Sequence, residues 1–418
     1  MTTRLGSERT PRREVAPRPV GTPQPGRRPA AALAQAVRRA APALLGYLLV
    51  RALGVAAVVL WHGQHGTTGL HRLATMWDAY WYQDIAVHGY AGSVPVAGPF
   101  GAYEAYAFFP VYPALVRATW WLLPLPVHYA ALLVAWAGAL LAAWGIFAVA
   151  DRLHGRRAAT VAVLLWGAGP YAVVQSMAYS ELLFTAFAAW AMYAAVTRRW
   201  IWAGTLSSLA GLTRPTGVAV AGAVSLAALW ALITHLRHAR RDTARAGTAD
   251  GWWRPLAGGA LAPLGFVAFI AWVGTRKGRW DGYFRVQDAW QSHFDLGRST
   301  LHVLRRMVTV PGPIWLTDVV VAGTLVVSVV LFVVCVVQRQ ALPVVLFSAM
   351  MLILAIGDAA YFNSRARFLM PAFGLLLPVA VGLARVRTRG AVPAVIAAAA
   401  VCSAVYGGYV VFVYPNSP

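Results

Sequence analysis

The chain has 418 residues, 59% of them hydrophobic and 12% charged, and a formal net charge of +22. An ordinary soluble domain carries about 25% charged residues, and apolar runs of about 20 residues, enough to cross a bilayer as a helix, recur along most of this chain. That excludes a soluble globular protein. It also removes nucleic acid as the reason for the positive charge, which is spread over many short loops and a tail, as membrane topology requires.

Residues 1–39 hold nine arginines and six prolines and no apolar run that could serve as a signal sequence. They read as a disordered, basic cytoplasmic tail near anionic lipid, not as a cleavable leader. From residue 40 to 418 a single membrane domain is expected, an all-α polytopic bundle. Hydropathy places eleven spans at about 40–61, 128–150, 158–176, 180–197, 201–213, 214–235, 255–275, 316–337, 341–361, 368–386 and 391–414. Cys335 and Cys402 fall inside spans and read as small core residues, with no disulfide or metal spacing.

Segment 105–126 is apolar enough to cross, yet Pro110, Pro113, Pro124 and Pro126 interrupt it. If it crosses, the basic stretches Asp151–Arg157, 236–254 and 385–389 all fall outside. If it stays at the surface they fall inside with the arginine-rich N-terminus, which the positive-inside rule favours. A re-entrant or interfacial 105–126 is therefore predicted, with the N-terminus cytoplasmic. Two long loops, 62–127 and 276–315, then face outward. The second carries seven basic residues on the unfavoured side, and holding anionic lipid headgroups is one reason to keep them there.

The first loop contains Trp77-Asp78-Ala79-Tyr80-Trp81-Tyr82-Gln83-Asp84-Ile85-Ala86-Val87-His88-Gly89-Tyr90, in a chain with only 14 acidic residues. If 74–88 is helical, Asp78, Tyr82, Ile85 and Gly89 share one face and Tyr80, Asp84 and His88 another. Tryptophans at headgroup depth anchor such a helix at the interface. An Asp partly desolvated among them is a candidate general base, though a carboxylate at a helix start is also ordinary dipole chemistry. Asp84 and His88, four apart, pair with each other or hold a sugar hydroxyl; two ligands do not make a metal site, and none is predicted. Glu104 is a second candidate acid. Arg117 follows Phe108-Phe109-Pro110-Val111-Tyr112-Pro113 and either faces a lipid phosphate or snorkels. Ser180-Glu181 opens a span, where capping and a site role are both open. Arg214-Pro215-Thr216-Gly217 breaks the apolar run at a depth where only protein or a water-filled cavity accommodates it, and a fixed guanidinium there suits a phosphate. Arg365 and Arg367, with Asp358 and Asn363 nearby, either snorkel or cradle an anion. Asp281, Asp288, His293 and Asp295 form no assignable pattern.

Trp77-Asp78, Ile85-Ala86, Gly89-Tyr90 and the Phe108–Pro113 run with Arg117 resemble the PIG-V family of mannosyltransferases, within the membrane-embedded GT-C glycosyltransferase class. Tyr179-Ser180-Glu181, Arg214-x-x-Gly217 and the 363–371 stretch extend the resemblance in the same order. Where such families often place His then Phe a few residues after the Asp, this chain has Trp81 and Tyr82. The resemblance implies a GT-C bundle with a large first outer loop, at the plasma membrane with its active site extracytoplasmic. It implies inverting transfer of a hexose, with mannose as the sugar, from a polyprenyl-phosphate-linked donor to a glycolipid or protein acceptor. Asp78 would activate the acceptor, and Arg214, Arg365 or Arg367 would hold the donor phosphate. Asp84, His88, Glu104, Arg117 and Glu181 would complete the substrate contacts. No cofactor is implied beyond the lipid donor. The rival classes are a flippase for lipid-linked sugars, which paired broken helices would favour, and a non-catalytic scaffold, which has no use for the Asp78 cluster.

Overall fold

The computed structural model describes residues 29–61, 68–241, 251–359 and 361–417. The chain divides between Arg39 and Ala40 into two units. Most of the expected tail, residues 1–28, lies outside the described residues, but 30–39 are helical rather than disordered. The alanines of Ala30–Arg39 explain this, since alanine is the strongest helix former.

Helix α1 (Pro29–Leu60) is followed by α2 (Gly69–Thr75) and α3 (Asp78–Gly92). A two-stranded antiparallel hairpin, β1 (Val96–Gly98) with β2 (Gly101–Tyr103), comes next, then α4 (Val111–Leu122). The bundle continues with α5 (Val127–His154), α6 (Arg156–Gly167), α7 (Glu181–Val196), α8 (Trp200–Gly211) and α9 (Gly217–Arg241). Helices α10 (Trp253–Leu261), α11 (Leu264–Arg276), α12 (Gly282–Ala289) and α13 (Arg298–Thr309) lead to α14 (Leu316–Val337) and α15 (Leu342–Gly357). Short α16 (Arg365–Leu369), α17 (Leu377–Arg385) and α18 (Ala391–Phe412) complete it.

Six of these helical segments among the described residues are long and apolar enough to span a membrane, and a seventh is the bent unit of α16 and α17, whose parts meet at 72°. The eleven spans expected from hydropathy thus include several shorter pieces. Helices α7 and α15 have 16 residues each, and α6 and α8 have 12. A 19-residue hydropathy average cannot tell a lipid-facing helix from one that is apolar because protein surrounds it, and twelve residues of α7 are buried.

The 105–126 segment resolves into a 3-10 turn at Ala105–Ala107 and α4. Twelve helical residues reach about 18 Å, short of the roughly 30 Å of a hydrocarbon core. Pro110 sits at its N-cap, and Pro124 and Pro126 lie in the turn before α5. The expected single helix over 74–88 is two helices. Trp77 breaks them with φ of 53°, so that Asp78 becomes the first residue of α3.

Interhelical packing depends on small residues, as in other membrane bundles. A Cβ on Gly204 of α8 would lie 2.3 Å from the Gly258 carbonyl oxygen of α10. Gly138 and Gly145 of α5 meet Leu183 and Ala189 of α7 in register, so α5 and α7 run in the same direction.

Candidate active site

Four chain segments, remote in sequence, bring two carboxylates and two guanidiniums together. A backbone bond from the Ala178 amide to the Leu73 carbonyl ties the start of α7 to α2. That places Glu181, first residue of α7, beside Asp78, first residue of α3. Both helix N-termini favour negative charge. Arg214 enters from the α8–α9 break and Arg367 from α16.

Arg367 Nη1 lies 2.9 Å from Asp78 Oδ2, and its Nε lies 3.2 Å from Glu181 Oε1. Arg214 Nη1 lies 2.7 Å from Glu181 Oε2 and donates to Ser180 Oγ at 3.0 Å. Ser180 Oγ and the Tyr82 hydroxyl are 2.5 Å apart. Burial holds that phenol well above its ordinary range, so it stays protonated. The four charges alternate, Asp78–Arg367–Glu181–Arg214, and sum to zero. Such balance is what makes charge tolerable at this depth. Glu181, Arg214 and Arg367 are buried, whereas the Asp78 side chain keeps 19% of its surface open.

That opening leads into a cavity of about 540 Å³. Asp78, Arg214 and Arg367 form its polar floor, and Trp81, Tyr103, Trp290 and Tyr361 line its walls. Trp290 comes from segment 276–315 and packs at 4.3 Å on Tyr103, 5.7 Å from Trp81 and 5.6 Å from Phe108. Burial, with the neighbouring Tyr103 phenol, pushes the Tyr361 hydroxyl up to about 12. A second, largely apolar cavity of about 280 Å³ shares Arg214, Gln287, Asp358 and Phe368 with the first and continues past Phe266, Phe284 and Leu354. Charge, aromatic walls and an apolar annex thus meet at Arg214, an arrangement suited to a ligand with a sugar, a phosphate and a hydrocarbon tail.

The remaining expected residues lie elsewhere. Asp84 and His88 pair with each other, Oδ1 to Nδ1 at 2.8 Å, and line neither cavity. Glu104 is bound by Lys277, the only lysine, which also sits 5.1 Å above the Tyr106 ring. Arg117 lies over Trp121 at 4.7 Å. Arg365 lines neither cavity: its side chain is fully buried, donates from Nη2 to the Asp358 carbonyl and sits 5.1 Å over Phe362. Among the described residues, no three His, Cys, Asp or Glu side chains converge as metal ligands do. Sequence reasoning missed Tyr103, Trp290 and Tyr361. The only signal for Tyr103 and Trp290 was aromatic density in segments 62–127 and 276–315, and Tyr361 fell at the end of an expected span.

No protein-family model and no curated protein matches the chain. Among solved structures, ArnT from Cupriavidus metallidurans bound to undecaprenyl phosphate aligns with a TM-score of 0.52 at 17% identity, over 86% of this chain and 63% of that one. An Archaeoglobus fulgidus oligosaccharyltransferase in complex with Zn and sulfate aligns with a TM-score of 0.49 at 14% identity, over 89% of this chain and 53% of that one. The chain therefore spans less than two thirds of the length of either structure. The likeness to ArnT shows the fold: an all-α, multi-pass membrane bundle folded as ArnT is.

Proposed function

We propose that the protein is a membrane glycosyltransferase that moves a hexose from a polyprenyl-phosphate-linked donor to an acceptor hydroxyl, with inversion at the anomeric carbon. Mannose is the sugar implied by the PIG-V-like residues around Asp78. The observation that carries this reading is the placement of Asp78. Of the two carboxylates in the charge network, it is the one that opens into the cavity, while Glu181 is enclosed between Arg214 and Arg367.

In this reading the acceptor oxygen attacks the anomeric carbon as the bond from that carbon to the phosphate oxygen breaks. The hydroxyl proton passes to Asp78, and polyprenyl phosphate leaves. A lipid phosphate is a good leaving group and needs no strong acid. Arg214 and Arg367, which line the cavity floor, stabilise the charge that develops on it. Because Glu181 fixes both guanidiniums beforehand, little reorganisation accompanies the reaction. Trp81, Tyr103 and Trp290 offer flat apolar faces to a sugar ring, and the adjoining cavity takes the first units of the prenyl chain. The acceptor is a glycolipid or a protein on the extracytoplasmic side.

The test uses the full chain in proteoliposomes with radiolabelled polyprenyl-phosphate-mannose and membrane-lipid acceptor. Wild type transfers label, and Asp78→Asn at matched protein loses at least about 10²-fold, the scale of a general base. Undiminished transfer by Asp78→Asn would rule out Asp78 as the base. Transfer from the glucosyl donor but not the mannosyl one would replace the sugar and keep the class.

A further inference from the structure

Helices α1, α6 and α18 run in the same direction and enclose a long groove. Gly46 of α1 packs against Leu164 of α6, and Gly407 of α18 meets Val173 just beyond α6. Val50, Ala168 and Ala400 form a small core where the three segments meet. The groove has a volume of about 1050 Å³ and is lined by aliphatic side chains such as Leu49, Leu53, Leu164 and Ile396. From Pro42 to Ala56 along α1 it extends about 21 Å at the helical rise, against roughly 15 Å for half a hydrocarbon core.

One end of this groove is strongly cationic. Arg156 and Arg157 line it, and no carboxylate does. Arg157 Nη2 donates to the Val386 carbonyl at 2.8 Å, which fixes the α17–α18 turn and its exposed Arg385, Arg387 and Arg389 beside them. The cluster lies far from the candidate active site: Gly138 of α5 packs near Glu181, and Arg152 is fourteen residues, or about 21 Å, further along the same helix. The proposed glycosyl transfer therefore makes no use of it.

We propose that this groove is a binding site for an anionic phospholipid. One acyl chain lies along α1, α6 and α18, and the headgroup phosphate is held by Arg156 and Arg157 in the field of the α17–α18 arginines. The fit is one of charge and length together: a slot long enough to span one leaflet's hydrocarbon, lined almost wholly by apolar side chains, with guanidiniums only where a phosphate would sit.

The experiment is native mass spectrometry of the full-length, delipidated protein titrated with phosphatidylglycerol or phosphatidylcholine of identical chains. One phosphatidylglycerol should bind at least about tenfold more tightly than phosphatidylcholine. That preference should vanish in the pair Arg156→Ala and Arg157→Ala. Ala397→Trp, on an exposed groove position, fills the slot without changing charge and should abolish the bound lipid at unchanged melting temperature. The pair Arg305→Ala and Arg306→Ala, on exposed positions of α13, should leave binding intact. Equal affinity for the two lipids, or equal loss in both arginine pairs, overturns the site. Displacement of phosphatidylglycerol by equimolar polyprenyl phosphate overturns the phospholipid assignment and gives the groove to the donor lipid.

Discussion

Glu181 has 1% of its surface exposed and contacts a different guanidinium with each carboxylate oxygen. Removing its charge leaves Arg214 and Arg367 facing one carboxylate in a poorly hydrated site. Breaking a buried ion pair from one side costs about 3–5 kcal/mol, so Glu181→Gln should lower the melting temperature sharply in detergent. Asp78→Asn, at the open end of the same network, should abolish transfer with a much smaller thermal shift. If the two variants shifted melting equally, the split between a structural Glu181 and a reacting Asp78 would be untenable. These residues were legible in the sequence because acids are scarce in it, and Glu181 and Arg214 stood beside visible breaks, the start of an apolar span and the Arg214-Pro215 turn, whereas the Trp77 kink beside Asp78 emerged only in the structure. Which of the candidates reach the cavity was not legible. Arg365 and Arg367 are two residues apart on α16, and only the fold shows that one meets Asp78 while the other is enclosed against Phe362. Asp84 and Glu104 find partners outside the cavity for the same reason: sequence lists charges without saying which face they occupy.

At the scale of elements, α13 illustrates how segment 276–315 is held. Asp295 accepts from the Gly297 amide at 2.8 Å and from the Ser299 amide at 2.7 Å, capping the start of the helix. Thr300, one residue further on, donates to the Ile356 carbonyl and anchors α13 to α15. Burial pushes the Asp295 carboxyl up, but the bonds from Ser299 and Gly297 outweigh it and hold the group below the usual carboxylate range. A carboxyl depressed by folding contributes stability above its unfolded value of about 4, and that contribution is lost as pH falls through the folded value. Amide exchange over residues 297–301, corrected for intrinsic rates, should therefore quicken on acidification below about pH 4. Asp295→Asn should remove that acid response, and a response that persists unchanged in the variant would assign it to another group. The cap was invisible beforehand because Asp295 follows Phe294 in a stretch without helical periodicity. The hydropathy spans differ from the helices for another reason: α7 is short and largely enclosed by protein, and an average over residues cannot distinguish lipid from neighbouring helices.

Across the unit Ala40–Pro418, the two ends of the bundle differ in chemistry. The candidate site, the β-hairpin and α12 lie at one end. At the other are Arg152, Arg156 and Arg157 and, since α5 and α7 run in parallel, also Arg198, which shares a cavity with Arg254 and Leu342. The orientation expected from the sequence by the positive-inside rule, with its arginine-rich N-terminal stretch on the cytoplasmic side, would place the end that lacks the site in the cytoplasm. The same rule led to a surface role for 105–126, and the twelve residues of α4 are too few to cross. The orientation is open to direct measurement. In a Cys402→Ser background, with Cys335 buried, single cysteines replace Phe100 on the hairpin, which is 66% exposed, and Arg387 in the α17–α18 turn. An impermeant maleimide applied to intact cells should label the Phe100→Cys protein at once and the Arg387→Cys protein only after permeabilisation. The reverse pattern would put the candidate site in the cytoplasm, where an extracytoplasmic acceptor is out of reach. Labelling of both from outside would contradict the placement of the two positions at opposite ends of the bundle. The expected pattern sets the proposed transfer and the proposed phospholipid groove in opposite leaflets, so that neither lipid competes for the other's site.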